Sequence, residues 1–128
     1  MDITPKQFKT DYETTFILTP ELPEDERKAA VDKFVTLIKE NDGEIINMEQ
    51  WGLRKLAYPI NKRTQGFYVF IEFNTYGDFV SKLEQQYRYD TSVMRYLTVK
   101  LDKHAVAYNQ KRREQGFGLR KEMVNNGR

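Results

Sequence analysis

The sequence contains no cysteine, which excludes disulfide bonds and any zinc or iron–sulfur site with cysteine ligands. It also lacks a run of about 18 apolar residues, so we expect no membrane-spanning helix and no membrane partner. The first residues, MDITPKQFKTDYE, have no apolar core of the kind that a secretory signal requires. Together these absences predict a cytoplasmic protein.

Residues that carry catalysis are scarce as well. His104 is the single histidine, and it has no partners that would build a catalytic or metal site. The acidic residues are scattered, and the chain contains neither a Walker loop nor a GxGxxG loop. We therefore predict no enzyme activity, no catalytic residue, no metal site, no cofactor and no small-molecule substrate.

Charge is present but unevenly distributed along the 128 residues. Residues 102–128 hold seven Lys or Arg and three Asp or Glu, whereas residues 1–101 hold fourteen and sixteen. The net charge is therefore +4 in the tail and −2 in the rest of the chain. Such asymmetry suggests a polyanionic partner, and a tail that only keeps the protein soluble is the alternative.

The spacing of apolar residues predicts a strand at 12–18 and a helix that begins at Pro23 and continues past Ile38. Gly43 is predicted to end this helix as a left-handed cap. Residues 43–73 then predict two long strands joined by a polar, basic turn at 61–66.

The two long strands have distinct patterns. In the first, Gly52 indicates a bulge, and Pro59 marks an edge strand or the end of its pairing. The second is apolar on both faces, which is typical of a central strand. Its predicted inward residues are Phe67, Val69, Ile71 and Phe73, and its predicted outward residues are Tyr68, Phe70 and Glu72.

A second helix over 79–87 and a fourth strand over 93–101 complete the order βαββαβ. With right-handed crossovers this order predicts an α+β, ferredoxin-like fold: a four-stranded antiparallel sheet, in order 4-1-3-2, with two helices on one face. The inward side of the fourth strand stays undetermined. The sheet's other face would be uncovered and would carry Ile17, Tyr68 and Phe70, which favours a binding or dimer surface.

We predict three segments: a flexible N-terminal lead-in at 1–10, the ferredoxin-like domain at 11–102 and a basic C-terminal tail at 103–128. The tail has a helical pattern over 105–113, but its glycines argue against packed structure beyond that point.

RNA-recognition modules share this element order but fit the residues poorly, because they stack bases on aromatic residues of the first and third strands. Here the first strand places Thr15 and Ile17 outward. Acylphosphatases also share the fold class, but their phosphate-binding loop would fall on the acidic, proline-rich residues 19–23.

The basic residues remain the main functional signal. Singly each would lie on a solvated face, but together they predict a rim around one end of the sheet that contacts phosphate groups. The members of this rim are Arg54, Lys55, Lys62, Arg63, Arg88, Arg95, Lys111, Arg112 and Arg113.

The second strand and its turn carry the pattern WGLRKLAYPINK at 51–62, followed by GFY at 66–68. This pattern closely resembles the bacterial small-subunit ribosomal protein S6 family, and the resemblance covers about residues 11–102. It implies a ferredoxin-like fold and a structural role in the small ribosomal subunit. Members of the family bind 16S ribosomal RNA as a heterodimer with ribosomal protein S18, so these are the implied partners, and the basic rim would bind the RNA.

The uncovered sheet face agrees with this resemblance, because such a face needs a protein partner. The predicted partner-binding residues are Trp51, Tyr68, Phe70, Tyr108 and Phe117. The alternative is a ferredoxin-like dimeric regulator or small-ligand-binding module, which self-association without RNA would favour.

Overall fold

The computed structural model of the chain describes residues 8–114, which form four strands and three helices. In chain order the elements are β1 (Lys9–Leu18), α1 (Glu24–Glu40), β2 (Glu44–Ile60), β3 (Arg63–Tyr76), α2 (Asp78–Tyr89), β4 (Val93–Lys100) and α3 (Lys103–Glu114). Residues 1–7 of the predicted lead-in and residues 115–128 of the predicted tail lie outside this range. The domain boundaries therefore stay predictions.

The strands form one antiparallel sheet in the order β2-β3-β1-β4, which confirms the predicted ferredoxin-like arrangement. β1 is central because it pairs with β3 along one edge and with β4 along the other. The rings of Phe16, Phe34 and Tyr87 join β1, α1 and α2 in the core, with centroids 4.7 to 5.2 Å apart. The helices contribute Val31, Phe34, Ile38, Phe79, Leu83 and Tyr87 to this core.

Core contacts determine the inward side of β4, which the sequence left open. Tyr96 packs against the hydrophobic core. Thr98 Oγ1 lies 2.8 Å from Oγ1 of the buried Thr14. Because side chains alternate along a strand, Leu97 and Val99 face the opposite side, where they are 64% and 38% exposed.

The left-handed residue after α1 is Asp42, with a φ of 65°, and not Gly43 as predicted. Gly43 is needed for a different reason, since a Cβ atom there would lie 2.4 Å from Ile38 Cγ2. The Gly43 N–H donates to the Ile38 carbonyl at 2.9 Å, which brings the two residues this close. At the other end of α1, Pro23 is the cap residue, one position before the helical position predicted for it.

The turn between β2 and β3 contains two residues rather than the predicted six. Asn61 and Lys62 have φ values of 49° and 68°, both positive as a type I′ hairpin turn requires. Pairing resumes at Arg63, and Gly66 therefore lies inside β3. A Cβ atom at Gly66 would lie 2.3 Å from Ile17 Cγ2, so glycine here makes room for a side chain of the neighbouring strand.

β2 is interrupted at the two predicted positions and also between Ile45 and Asn47, where the sequence analysis predicted nothing. A register shift precedes Gly52, whose φ of 78° identifies a bulge. Farther along, residues 56–59 have no ladder partner in β3, and Pro59 belongs to this stretch. Proline has no N–H to donate, so ladder pairing stops around it.

We call the sheet face opposite α1 and α2 the outer face. Its central residues are Thr15 and Ile17 of β1 and Tyr68 and Phe70 of β3. The predicted outward direction of Tyr68 and Phe70 is thereby confirmed, as is the inward direction of Val69, Ile71 and Phe73, which belong to the core.

α3 confirms the helical pattern predicted in the tail. Asp102 Oδ1 accepts a hydrogen bond from the Ala105 N–H at 2.7 Å and so caps the start of the helix. Later in α3, Asn109 Nδ2 donates to Glu13 Oε1 of β1 at 3.2 Å. Asn109 is buried there, so the prediction that the chain leaves its outer face wholly uncovered is wrong.

Candidate functional site

Six of the predicted RNA-binding residues lie towards one end of the sheet. β1 ends there, β4 begins there, and β3 enters the sheet there, since Leu18 pairs with both Phe67 and Val93. α2 also ends on this side, just before β4. We call this the basic end, and its members are Arg54, Lys55, Lys62, Arg63, Arg88 and Arg95. The sequence predicted this grouping together with Lys111, Arg112 and Arg113, and contact with RNA stays a prediction for all nine.

The β2–β3 hairpin extends beyond the rest of the sheet. β1 reaches only to the level of Phe67, and residues 63–66 of β3 continue for about 13 Å at roughly 3.3 Å per residue. Lys55 and Lys62 are exposed on this extension. Their ammonium groups are therefore available to a polyanion from several directions.

Arg63 holds the hairpin extension against the loop that follows β1. Its Nε donates to Glu21 Oε1 at 2.7 Å and to Oε2 at 3.0 Å. The hydrogen bond from Thr19 and then the contacts with Arg63 hold the pKa of Glu21 below its usual value. An exposed ion pair of this kind contributes little to stability, so a phosphate group can replace Glu21 at small cost.

Two other arginines of the basic end lie against the protein. Arg54 is half-buried, and its Nη1 donates to the Leu53 carbonyl at 3.1 Å. Its Nε is buried without a hydrogen-bond acceptor among the described residues. Arg88 stays exposed although its Nη1 donates to Tyr96 Oη at 3.1 Å. Arg88 is therefore more available to a ligand than Arg54.

Arg95 connects the basic end to the outer face. The strand register places Gly52, Tyr68, Ile17 and Arg95 in one row across the sheet. Burial raises the pKa of the Tyr68 hydroxyl, and the charge of Arg95 opposes this shift. The arginine thus lies close enough to influence a tyrosine two strands away.

Trp51 covers the middle of the outer face. It occupies the bulge before Gly52 and stacks on Tyr68 and on Phe70, with both centroid separations 6.3 Å. Phe70 is fully buried, and Trp51 is only 6% exposed. The expectation of an exposed Phe70 is therefore wrong, because the bulge turns a neighbouring indole ring over it.

Hydrogen bonds fix the position of Trp51. Its Nε1 donates to Glu49 Oε1 at 2.8 Å, and the other oxygen of Glu49 accepts from Asn47 Nδ2 at 2.9 Å. The ring is held by stacking on one side and by this carboxylate at its edge. Trp51 is thus part of the supporting structure of the outer face, and Tyr68 beside it stays partly exposed.

The structure describes some of the tail residues that were predicted to bind RNA or a protein partner. Tyr108 is 52% exposed, and Lys111 is also exposed. The side chains of Arg112 and Arg113, and the whole of Phe117, lie outside the described residues, so their predicted roles stay predictions.

Two kinds of exposed residue were not predicted from the sequence. Leu97 and Val99 on β4 were missed because alternation alone did not determine the inward side of that strand. Tyr58 was missed because it lies in an apparently apolar strand, yet it is 76% exposed. The proline that follows it, Pro59, was the signal in the sequence from which the exposure of Tyr58 could have been predicted.

Metal-binding clusters and membrane-spanning helices are absent from residues 8–114. No group of three or more histidine or carboxylate side chains in this range is arranged to hold a metal ion. His104 is exposed at the start of α3. None of the helices in this range has the length and apolar character that crossing a membrane requires.

Comparison with known proteins identifies the family. A family model described as ribosomal protein S6 matches residues 11–100. The chain is 52% identical over 103 residues to the small ribosomal subunit protein bS6 of Porphyromonas gingivalis, covering 80% of this chain and 88% of that protein. The bS6 of Bacteroides thetaiotaomicron is 51% identical over 102 residues, covering 80% and 90%. The chain belongs to the ribosomal protein S6 family.

A solved structure agrees with this assignment. The 30S ribosomal protein S6 from Thermotoga maritima superposes with a TM-score of 0.72 at 32% identity, covering 84% of this chain and 98% of that one. Membership of the S6 family makes the chain a structural protein of the small ribosomal subunit rather than an enzyme. The family match ends at the last residue of β4, so α3 lies beyond it.

Proposed function

We propose that this S6-family protein binds 16S ribosomal RNA together with ribosomal protein S18, and so supports assembly of the small subunit and translation in the cytoplasm. The basic end is the observation that carries the RNA part of this proposal. Its six cations come from the hairpin, α2 and β4, so the fold holds them in fixed relative positions.

These cations suit contacts with the RNA backbone. Lysine and arginine side chains neutralise phosphates and release counterions, which gives binding that weakens steeply with salt. Such contacts position a protein on RNA but read little sequence. We therefore infer that the basic end orients the protein on the RNA, and that affinity for RNA alone is modest.

The outer face supports the protein-binding part of the proposal. Leu97 and Val99 of β4 are exposed on the same face as the partly exposed Tyr68, whose ring stacks on Trp51. β2 is a long edge strand, which proteins normally cover or blunt. We infer that S18 docks on the outer face and the adjoining edges of the sheet.

The RNA contact is tested by measuring affinity against salt concentration for a 16S RNA fragment in the presence of S18. The double variant Lys55→Glu, Lys62→Glu should bind more weakly, with a salt slope smaller by about 1.4 to 1.8, since each phosphate contact contributes about 0.7–0.9.

The matched control is Lys39→Glu with Lys100→Glu, which makes the same charge change at the opposite end of the sheet. Its salt slope should equal that of the unmodified protein. An equal loss of slope in both double variants would show that total charge, and not the basic end, determines binding.

The protein contact is tested separately by pairing with S18 in the absence of RNA. Leu97→Glu should prevent pairing, because it places a charge in an apolar interface. Tyr89→Glu is the control, since Tyr89 is similarly exposed at 69% but lies on α2, on the other side of the sheet. If the Leu97→Glu variant pairs normally with S18, β4 is not part of the interface.

A further inference from the structure

Tyr58 is the most exposed of the large apolar and aromatic side chains in residues 8–114, with 76% of its surface accessible. Among these described residues it stacks on no other ring and makes no side-chain hydrogen bond. It lies in the part of β2 that extends past β1 at the basic end. Most of the ring is therefore available to a ligand.

The backbone around Tyr58 is unusually constrained for an unpaired stretch. Residues 56–59 have no ladder partner, but Leu56 is buried and anchors the stretch to the protein. Pro59 restricts the preceding residue to extended backbone conformations. Pairing resumes when Ile60 meets Arg63. The ring is thus presented on a backbone that loses little freedom when a ligand binds.

The charge around Tyr58 is of one sign. Residues 50–66 contain four Lys or Arg and no Asp or Glu. Lys55 is three residues before Tyr58, which is roughly 10 Å of extended chain, and Lys62 is four residues after it, in the hairpin turn. An exposed aromatic ring flanked by cations is the arrangement that binds single-stranded nucleic acid, in which bases stack and phosphates are neutralised.

We propose that Tyr58 stacks on an unpaired base of the RNA while Lys55 and Lys62 hold phosphates on either side of that base. This inference rests on the proposed RNA binding and adds to it that the hairpin recognises a single-stranded segment. A protein ligand fits less well, because exposed lysines are depleted at the centres of protein interfaces.

The test uses the full chain with S18 and a 16S RNA fragment in which unpaired adenines are replaced, one at a time, by the fluorescent base 2-aminopurine. For one such position the protein should quench the fluorescence by stacking. Tyr58→Leu should abolish this quenching and weaken binding about 5- to 150-fold, the contribution of one stacked base. Tyr58→Phe keeps the ring and should bind within about threefold of the unmodified protein.

Phe8→Leu is the matched control, because Phe8 is 66% exposed but precedes β1 at the opposite end of the sheet. It should leave affinity and quenching unchanged. Equal affinities for Tyr58→Leu and Phe8→Leu, with RNA binding intact, would overturn the stacking but not the proposed function. Failure of the unmodified protein to bind the RNA would overturn the proposed function itself. Loss of S18 pairing in Tyr58→Leu, with normal quenching, would show that the ring contacts protein.

Discussion

At the residue scale, Trp51 determines how the outer face is built. A bulge in β2 places its ring over Tyr68 and Phe70, and Glu49 accepts the indole N–H. The residue that supports the outer face, Trp51, is therefore different from the exposed residues that form its surface. Changes at Trp51 should act through stability, whereas changes at Tyr68 or Leu97 should act through binding.

We predict that Trp51→Ala lowers the free energy of unfolding by about 3 kcal/mol, because it leaves a cavity above two aromatic rings. The measurement is urea unfolding followed by far-ultraviolet circular dichroism, since the variant has no tryptophan left to report by fluorescence. Tyr58→Ala is the control and should change stability by less than about 0.5 kcal/mol. Equal effects of the two changes would show that Trp51 is not packed as described.

Gly43 and Gly52 illustrate two different needs for glycine. Gly52 has a φ of 78° with open space around it, so Gly52→Ala should cost about 1 kcal/mol through backbone strain. Gly52→Asn should recover part of that loss, because asparagine tolerates left-handed backbone.

Gly43 has no such conformation and is limited by contact with Ile38. Gly43→Ala should cost about 1–3 kcal/mol, and Gly43→Asn should recover nothing. The four variants are compared by urea unfolding. Recovery by asparagine at both sites would contradict the distinction.

At the element scale, the β2–β3 hairpin combines structural and binding roles in one turn. Lys62 has a φ of 68° in a position where type I′ turns favour glycine. We predict that Lys62→Gly stabilises the protein by up to about 1 kcal/mol, because relief of the left-handed strain exceeds the greater chain entropy of glycine, and that it weakens RNA binding because it removes a cation. Thermal unfolding and RNA affinity should therefore move in opposite directions. If thermal stability and RNA affinity both fall, the lysine supports the turn.

How far these elements could be predicted from sequence depended on the kind of signal. The two amphipathic helices and the apolar face of β3 follow from periodicity, so the ferredoxin-like order was predictable. The turn was predicted too long because Gly66 signals turns, whereas here it accommodates Ile17. Asp42 adopts the left-handed conformation that was predicted for Gly43. Glycine is needed at position 43 for a different reason, because a Cβ atom there would collide with Ile38.

The grouping of the basic residues was predictable from the sequence, but the burial and the long-range contacts of side chains on the outer face were not. The basic residues of the hairpin are close in sequence, and the order of elements brings Arg88 and Arg95 to the same end. The burial of Phe70 depends on which way a bulged residue turns, and strand alternation does not contain that information. The contact between Asn109 and Glu13 joins residues 96 positions apart, so no local pattern indicates it.

At the scale of the whole molecule, α3 contacts the sheet through its buried Asn109. Asn109 Nδ2 donates a hydrogen bond to Glu13 Oε1 of β1. We predict that a chain ending at Asp102 keeps the fold and loses about 1 kcal/mol of stability, the typical value of one hydrogen bond.

A chain ending at Val99 is the comparison, because it also loses Leu101, whose N–H donates to the Asp11 carbonyl at 2.8 Å. Burial of Leu101 adds to that bond, so this chain should lose at least about 2 kcal/mol more. Both are measured by urea unfolding. A loss of more than about 3 kcal/mol from the first truncation would show that the tail belongs to the folded domain.

The central position of β1 has a consequence for how the protein is made. Thr14 in β1 contacts Thr98 in β4 across 84 residues of chain. At roughly 5–20 residues per second of synthesis, β1 waits about 4 to 17 seconds for this neighbour. During that interval one edge of the strand that later lies at the centre of the sheet can pair with strands from other nascent chains. For a polypeptide synthesised on many adjacent ribosomes at once, the order of the strands thus makes timing a part of correct folding.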